Sequence, residues 1–244
     1  MKEVLRSVAH SLGYDVIRYK SKGGRMHSDT RFGLDVFRLV VEDLVLRRPQ
    51  DSLTLLQIGA NDGVREDPVR PILTANGIRG VLVEPLPEPF QQLTATYADL
   101  QGVTTVNCAI GAQDGNLMLY HLAPNLVEEA SLIASFDRAN VEKWQSIWGL
   151  NPSAVLAREV PCRTVATLLR EQGIETLTIA AVDTEGMDHI ICNQLLDLPC
   201  PPEVLHFEYV NSPEFEVRQL IQRLEDMGYR MARSGLDITA LRTP

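Results

Sequence analysis

The residues best suited to chemistry are a glycine-framed turn, Gly59-Ala60-Asn61-Asp62-Gly63, and a set of acids further on, Glu84, Asp183, Glu185 and Glu208, with His206 among them. The turn follows an apolar run, Leu53 to Ile58. Glycine lets the chain leave a strand sharply and lets a ligand approach the backbone. Successive N–H groups in such a turn form a polar cradle. Glu84 ends a second apolar run about 20 residues later, where an acid can accept hydrogen bonds from both hydroxyls of a ribose. A dinucleotide fingerprint would need G-x-G-x-x-G with a pyrophosphate over a helix N-terminus. Here Asn61 replaces the middle glycine and Asp62 puts an acid in the turn. That acid repels a pyrophosphate and suits an ammonium group, which disfavours a nicotinamide dinucleotide.

The elements that must position these residues read as alternating strands and helices. Strands are expected at Leu53–Ile58, Gly80–Glu84, Val103–Ala109, Leu177–Asp183 and Glu203–Val210, and helices at Asp67–Asn76, Glu88–Ala98, Thr164–Gln172, Met187–Leu196 and Pro213–Met227. Short apolar runs of this kind are buried parallel strands. The alternation predicts an α/β fold with a mostly parallel sheet covered by helices on both faces. Leu117–Leu122 and Val160–Arg163 read as additional short strands, and Tyr229–Ser234 with Asp237–Arg242 as a closing hairpin around Gly235. Residues 1–50 form a preface with helical patterns at Lys2–Leu12 and Phe32–Arg47 around a polar loop, Tyr19–Arg25. The domain proper spans 51–244. Within it Ala123–Glu159, holding Trp144 and Trp148, has no clean period. It reads either as a lid or binding loop or as a helical insertion burying its tryptophans in a satellite core.

Composition narrows the partners. A net charge of −9 over 244 residues gives no electrostatic footprint for nucleic acid or an anionic membrane. The N-terminal residues lack the apolar core of a signal peptide or a membrane span. Cys108, Cys162, Cys192 and Cys200 have no C-x-x-C spacing, so buried thiols in a reducing cytoplasm are expected rather than zinc or disulfides. Oligomeric state leaves no mark on the sequence.

The turn, Glu84 and Asp183 fall at the carboxyl ends of strands, where doubly wound sheets bind ligands. A ribosyl ligand with a zwitterionic end and a positive sulfonium, S-adenosylmethionine, suits them. Four blocks, Leu56-Gln57-Ile58-Gly59-Ala60-Asn61-Asp62-Gly63, Val83-Glu84-Pro85, Asn107-Cys108-Ala109-Ile110-Gly111 and Val182-Asp183-Thr184-Glu185-Gly186-Met187-Asp188, resemble the FkbM family of S-adenosylmethionine-dependent methyltransferases. The resemblance implies a Rossmann-like class I fold with a seven-stranded sheet and methylation of hydroxyl oxygens on sugars or natural products. It implies that Gly59 to Gly63 hold the methionine end, that Glu84 and Pro85 meet the ribose, that Cys108 and Ala109 border the adenine, and that Asp183 faces the transfer site. Gln57 departs from the acid that many members carry, which shifts weight onto Asp62. The alternatives are N- or C-methylation and a non-catalytic ligand-binding protein of the same fold.

An alcohol acceptor needs alignment and a base. Asp183, Glu185, His206 and Glu208 are the candidates. Glu185 has a second reading, as an acid opening a helix. His206 and Glu208 alternate with Phe207 and share a face, and could be a purely structural pair. Asp183 and Glu208 could hold Mg²⁺ through oxygens, although no spacing requires a metal.

Overall fold

The computed structural model describes residues 35–242 apart from 66, 125, 128, 129 and 131. The expected helix at Lys2–Leu12 and loop at Tyr19–Arg25 lie outside those residues. The first described helix, α1, spans Val36–Arg47 and is N-capped by Asp35, whose carboxylate accepts from the Arg38 N–H. Then follow β1 (Thr54–Ile58), α2 (Arg70–Asn76), β2 (Arg79–Val83), α3 (Pro87–Thr96), β3 (Val103–Val106), β4 (Ala109–Ile110) and β5 (Gly115–Leu122). The chain continues through β6 (Ala134–Ser135), α4 (Arg138–Ile147), β7 (Val155–Arg163), α5 (Val165–Glu171) and β8 (Ile179–Val182). It ends with α6 (Asp188–Leu196), β9 (Val204–Glu208), α7 (Glu214–Asp226), β10 (Tyr229–Ser234) and β11 (Asp237–Arg242).

The main sheet has seven strands in the order β10-β11-β9-β8-β1-β2-β3. The five strands from β9 to β3 run parallel, and β11 is antiparallel to β9 and to β10. The chain winds outward from β1 through β2 to β3, then returns to lay β8 on the other side of β1. That makes the β1–β8 junction the topological switch point, where open α/β sheets bind ligands.

Period-two alternation builds a core on each face. Leu56 and Ile58 of β1 face α5, α6 and α7 through Val165, Leu168, Ile191, Leu195, Leu220 and Leu224. Leu55 faces Phe37 and Val41 of α1, Ile72 and Leu73 of α2 and Leu93 of α3. The helix expected from Phe32 thus packs into the same core as the sheet.

A second sheet corrects two readings. The strand expected at Val103–Ala109 is broken, because the Asn107 amide donates to the carbonyls of Glu84 and Pro85 and draws the chain off the main sheet. Ala109 and Ile110 then join a four-stranded sheet ordered β4-β7-β5-β6. The unreadable segment 123–159 belongs to that sheet. It supplies β6, α4 and the first half of β7, which begins at Val155 rather than Val160. Its core holds Leu122, Ala130, Ile133, Val141 and Ala154, with Trp144 and Trp148 packed against it at 5.4 Å between rings. Cys108, Cys162 and Cys192 are buried thiols, whereas Cys200 is exposed. Among the described residues no helix is long and apolar enough to cross a membrane.

Candidate active site

The site is built where β1, β2, β8 and β9 end. Gly59 leaves β1 with φ +85, and a Cβ there would stand 1.7 Å from the Asp183 carbonyl oxygen. Only glycine fits. The N–H groups of Gly59 and Ala60 both donate to the Val83 carbonyl at 3.0 Å, tying the turn to the end of β2. Asn61 takes a left-handed φ of 45°, and its N–H donates to Glu84 Oε2 at 2.9 Å. Glu84 Oε1 accepts from the Leu86 N–H at 2.8 Å. Burial pushes the Glu84 carboxyl up to about 7, against the two backbone donors that pull it down.

Asp62 does not present its carboxylate as an open ammonium partner. Oδ1 accepts from the N–H groups of Val64 and Arg65, both at 2.9 Å, and Oδ2 lies 3.4 Å from the Arg65 guanidinium. An Asx side chain bonding its own backbone in this way shapes a turn. Gln57 points to Asp67, whose Oδ1 accepts from its amide at 3.0 Å and whose Oδ2 accepts from Tyr97. Gln57 Oε1 and both side-chain polar atoms of Asn61 are buried without a hydrogen-bond partner. Cys108 lies in the core, its thiol pushed up to about 12 by burial, and Ala109 is buried in the second sheet.

The acids converge. Asp183, Glu185 and Glu208 bring carboxylate oxygens within 4.8 Å of one another, with Asp183 exposed and the two glutamates half-buried. A cluster of this composition could accept a hard divalent cation through oxygen. The Asn211 amide joins the glutamates, donating to Glu185 Oε2 at 2.6 Å and to Glu208 Oε2 at 2.8 Å. Burial, with Asp183, Glu208 and Asp188 adding repulsion, pushes Glu185 up to about 9. Burial also raises Glu208, against the Asn211 hydrogen bond. Asp188, buried at 1% exposure, gathers the loop by accepting from the Thr184 N–H and hydroxyl and from the Gly186 N–H. Burial and then Asp183 lift it to about 8.

His206 does not join them. Its ring stacks on Phe37 of α1 at 4.4 Å between centroids, and Nδ1 meets the Thr239 hydroxyl at 3.0 Å. Helix α1 covers the face that alternation assigned to His206. Burial lowers it to about 4, which favours the neutral ring packed under α1. Asn211, Asp188, Ser135 and Asn140 were missed from sequence. Only Asp188 carried a signal, as the last acid of the D-x-E-G-x-D block. A groove of about 810 Å³ opens between α3 and the second sheet, lined by Arg65, Leu86, Glu88, His121, Leu156 and Arg158 among others; none of the clustered carboxylates lines it. Arg158 of β7 pairs with Glu88 of α3 at 2.9 Å across it.

Comparison with curated proteins finds no match. Among solved structures the chain is similar to the N-terminal domain of human METTL16, with TM-score 0.46 and 11% identity, covering 99% of this chain and 81% of that one. A second structure of that human domain, in complex with SAH, gives 0.45 and 12%, covering 98% and 80%. Precorrin-6y C5,15-methyltransferase from Geobacter metallireducens GS-15 gives 0.39 and 15%, covering 88% and 95%. A family model described as the methyltransferase FkbM domain matches residues 57–231, most of the chain, from the end of β1 through β9. The chain belongs to the FkbM methyltransferase domain family.

Proposed function

We propose that the protein transfers a methyl group from S-adenosylmethionine to a hydroxyl oxygen of a small-molecule acceptor. The observation that carries this reading is the meeting, at the switch point, of the Gly59 turn and Glu84 with three carboxylates on the adjoining strand ends. The residues present suit the donor. A buried amide without partners costs about 1–3 kcal/mol, so the orphaned atoms of Asn61 and Gln57 favour a ligand at the turn. Glu84 keeps lone pairs beyond the two used by backbone, available to ribose hydroxyls. Asp62 contributes by fixing the turn.

When bound, S-adenosylmethionine supplies a methyl group on a positive sulfonium. The chain's own part is alignment and proton removal. Alignment of acceptor and donor can supply about 7–11 kcal/mol of the barrier. Carboxylates this close cannot all ionise: Glu185, lifted to about 9, holds its proton near neutral pH, which leaves Asp183 and Glu208 as the carboxylates to receive the acceptor's proton.

Calorimetry with S-adenosylhomocysteine on wild type and Glu84→Ala tests the donor. Loss of two hydrogen bonds to an ionised carboxylate should weaken binding by roughly 3–6 kcal/mol, or more than about 100-fold, above pH 7 where Glu84 is ionised. Absent binding by wild type, or equal binding by Glu84→Ala, sinks the reading. Methyl transfer from labelled donor to a panel of hydroxylated and amino acceptors then separates oxygen from nitrogen.

A further inference from the structure

Glu185 sits where a side-chain-bearing residue does not stay unaided. Its φ is +54°, in the left-handed region. Its carbonyl oxygen accepts two hydrogen bonds, from Ser135 Oγ at 2.7 Å and Asn140 Nδ2 at 2.9 Å. Both donors come from the inserted segment, Ser135 from β6 and Asn140 from α4. Ser135 is 2% exposed, and its Oγ also accepts from the N–H of Asp137, the N-cap of α4. One hydroxyl therefore joins the start of that helix to the loop after β8. Asn211, from the loop after β9, holds the Glu185 carboxylate and the Glu208 carboxylate with one amide group.

We propose that Ser135, Asn140 and Asn211 are positioning residues that hold Glu185 beside Glu208 and within reach of Asp183. The inserted segment is then a working part of the catalytic apparatus and not a detachable lid. Left to itself the Glu185 backbone would relax out of the left-handed region, and the Asn211 amide is what ties its carboxyl to that of Glu208. Displacement of a reacting group by about 1 Å can cost roughly 100-fold in rate. The proposal rests on the reading of this carboxylate rim as the transfer site.

The test compares Ser135→Ala, Asn140→Ala and the hydroxyl-retaining Ser135→Thr with Val141→Ala. Val141 is buried in the segment's own core, so its truncation loosens α4 without removing a bond to Glu185. With an acceptor found by the labelled-donor panel, kcat should fall at least ~10-fold in both alanine variants at the bonding positions. KM for the donor and S-adenosylhomocysteine affinity should stay within about twofold. Ser135→Thr should recover rate, and Val141→Ala should lower Tm while keeping kcat. Unchanged kcat at Ser135 and Asn140, or an equal loss in Val141→Ala, overturns the proposal. A structure of the Ser135→Ala/Asn140→Ala protein decides without an acceptor. Glu185 should leave its left-handed conformation and the Asn211 bond; an unmoved Glu185 refutes the clamp. Failure of wild type to bind S-adenosylhomocysteine would fall on the functional reading alone.

Discussion

Gly59→Ala is the sharpest perturbation of the site, because its cost divides into two parts that can be measured separately. An alanine at φ +85 carries the left-handed backbone penalty, about 1–2 kcal/mol. Its methyl would also stand 1.7 Å from the Asp183 carbonyl oxygen and 2.8 Å from the carbonyl carbon. Those distances lie inside van der Waals contact, so β1 and β8 must part locally. The Asp183 N–H to Ile58 carbonyl bond of 2.9 Å is the first to strain. Overpacking of this kind costs about 1–3 kcal/mol, and a weakened hydrogen bond about 1 kcal/mol more. The expected total is about 3–6 kcal/mol, or a fall in Tm of roughly 6–24 °C for a chain of this size. Gly77→Ala is the control. Gly77 has φ +61 and nothing within 4 Å of its added Cβ, so it carries the backbone penalty without the collision. Both variants would be melted by circular dichroism and titrated with S-adenosylhomocysteine. Gly77→Ala should lose about 1–2 kcal/mol and keep full affinity, whereas Gly59→Ala should lose more stability and most binding. If the two melt within about 2 °C of each other, the close packing of the turn on Asp183 is wrong.

Two further expectations concern pH. Glu84 is held near 7 against an ordinary 4.5, so the folded chain keeps a proton that the unfolded chain has released between those values. Its contribution is full below pH 4.5 and is lost as pH rises through 7, by about 3 kcal/mol. The stability difference between wild type and Glu84→Gln in urea should shift by that amount between pH 4.5 and 8, and parallel curves would contradict it. His206 acts in the opposite direction, being held near 4 against 6.5. Its contribution is full above pH 6.5 and falls as pH drops toward 4, by about 2 kcal/mol at pH 5. His206→Gln should therefore lose less stability than wild type between pH 7.5 and 5, measured by the same unfolding assay.

The parallel sheet was legible because strands buried on both faces are mostly apolar, as Leu53–Ile58 and Leu177–Val182 are apart from Thr54, Gln57 and Thr178. The first half of β7 was not, for the converse reason. Leu156, Ala157 and Glu159 are exposed there, and burial begins only at Val160 and Cys162, so no alternation marks the strand. The turn, Glu84 and Asp183 could be found because each ends a strand, and strand ends at a switch point meet whatever the loops do. For Asp62, composition does not distinguish an acid aimed at a ligand from one that accepts from the N–H groups two and three residues on. Asn211, Ser135 and Asn140 lie 26, 50 and 45 residues from Glu185. Their convergence depends on how the loop after β9 and the second sheet fold back, which no local pattern encodes.

The energetic character of the rim follows from the same contacts. Glu185 combines an unfavourable backbone conformation with a carboxyl lifted to about 9, and Asp188, lifted to about 8, lies in the same loop. Each feature opposes folding near neutral pH, since burial and mutual repulsion disfavour the ionised forms. The loop keeps its shape through donors aimed at it from separate elements: Ser135 and Asn140 at the Glu185 carbonyl, Asn211 at its side chain, and Thr184 and Gly186 at Asp188. A loop selected for stability alone would carry glycine at position 185, removing the backbone strain and one of the clustered acids together. Strain and burial held in place by their surroundings, beside a turn that admits only glycine, are what the proposed transfer site would require: groups kept for proton affinity and alignment at some cost in stability.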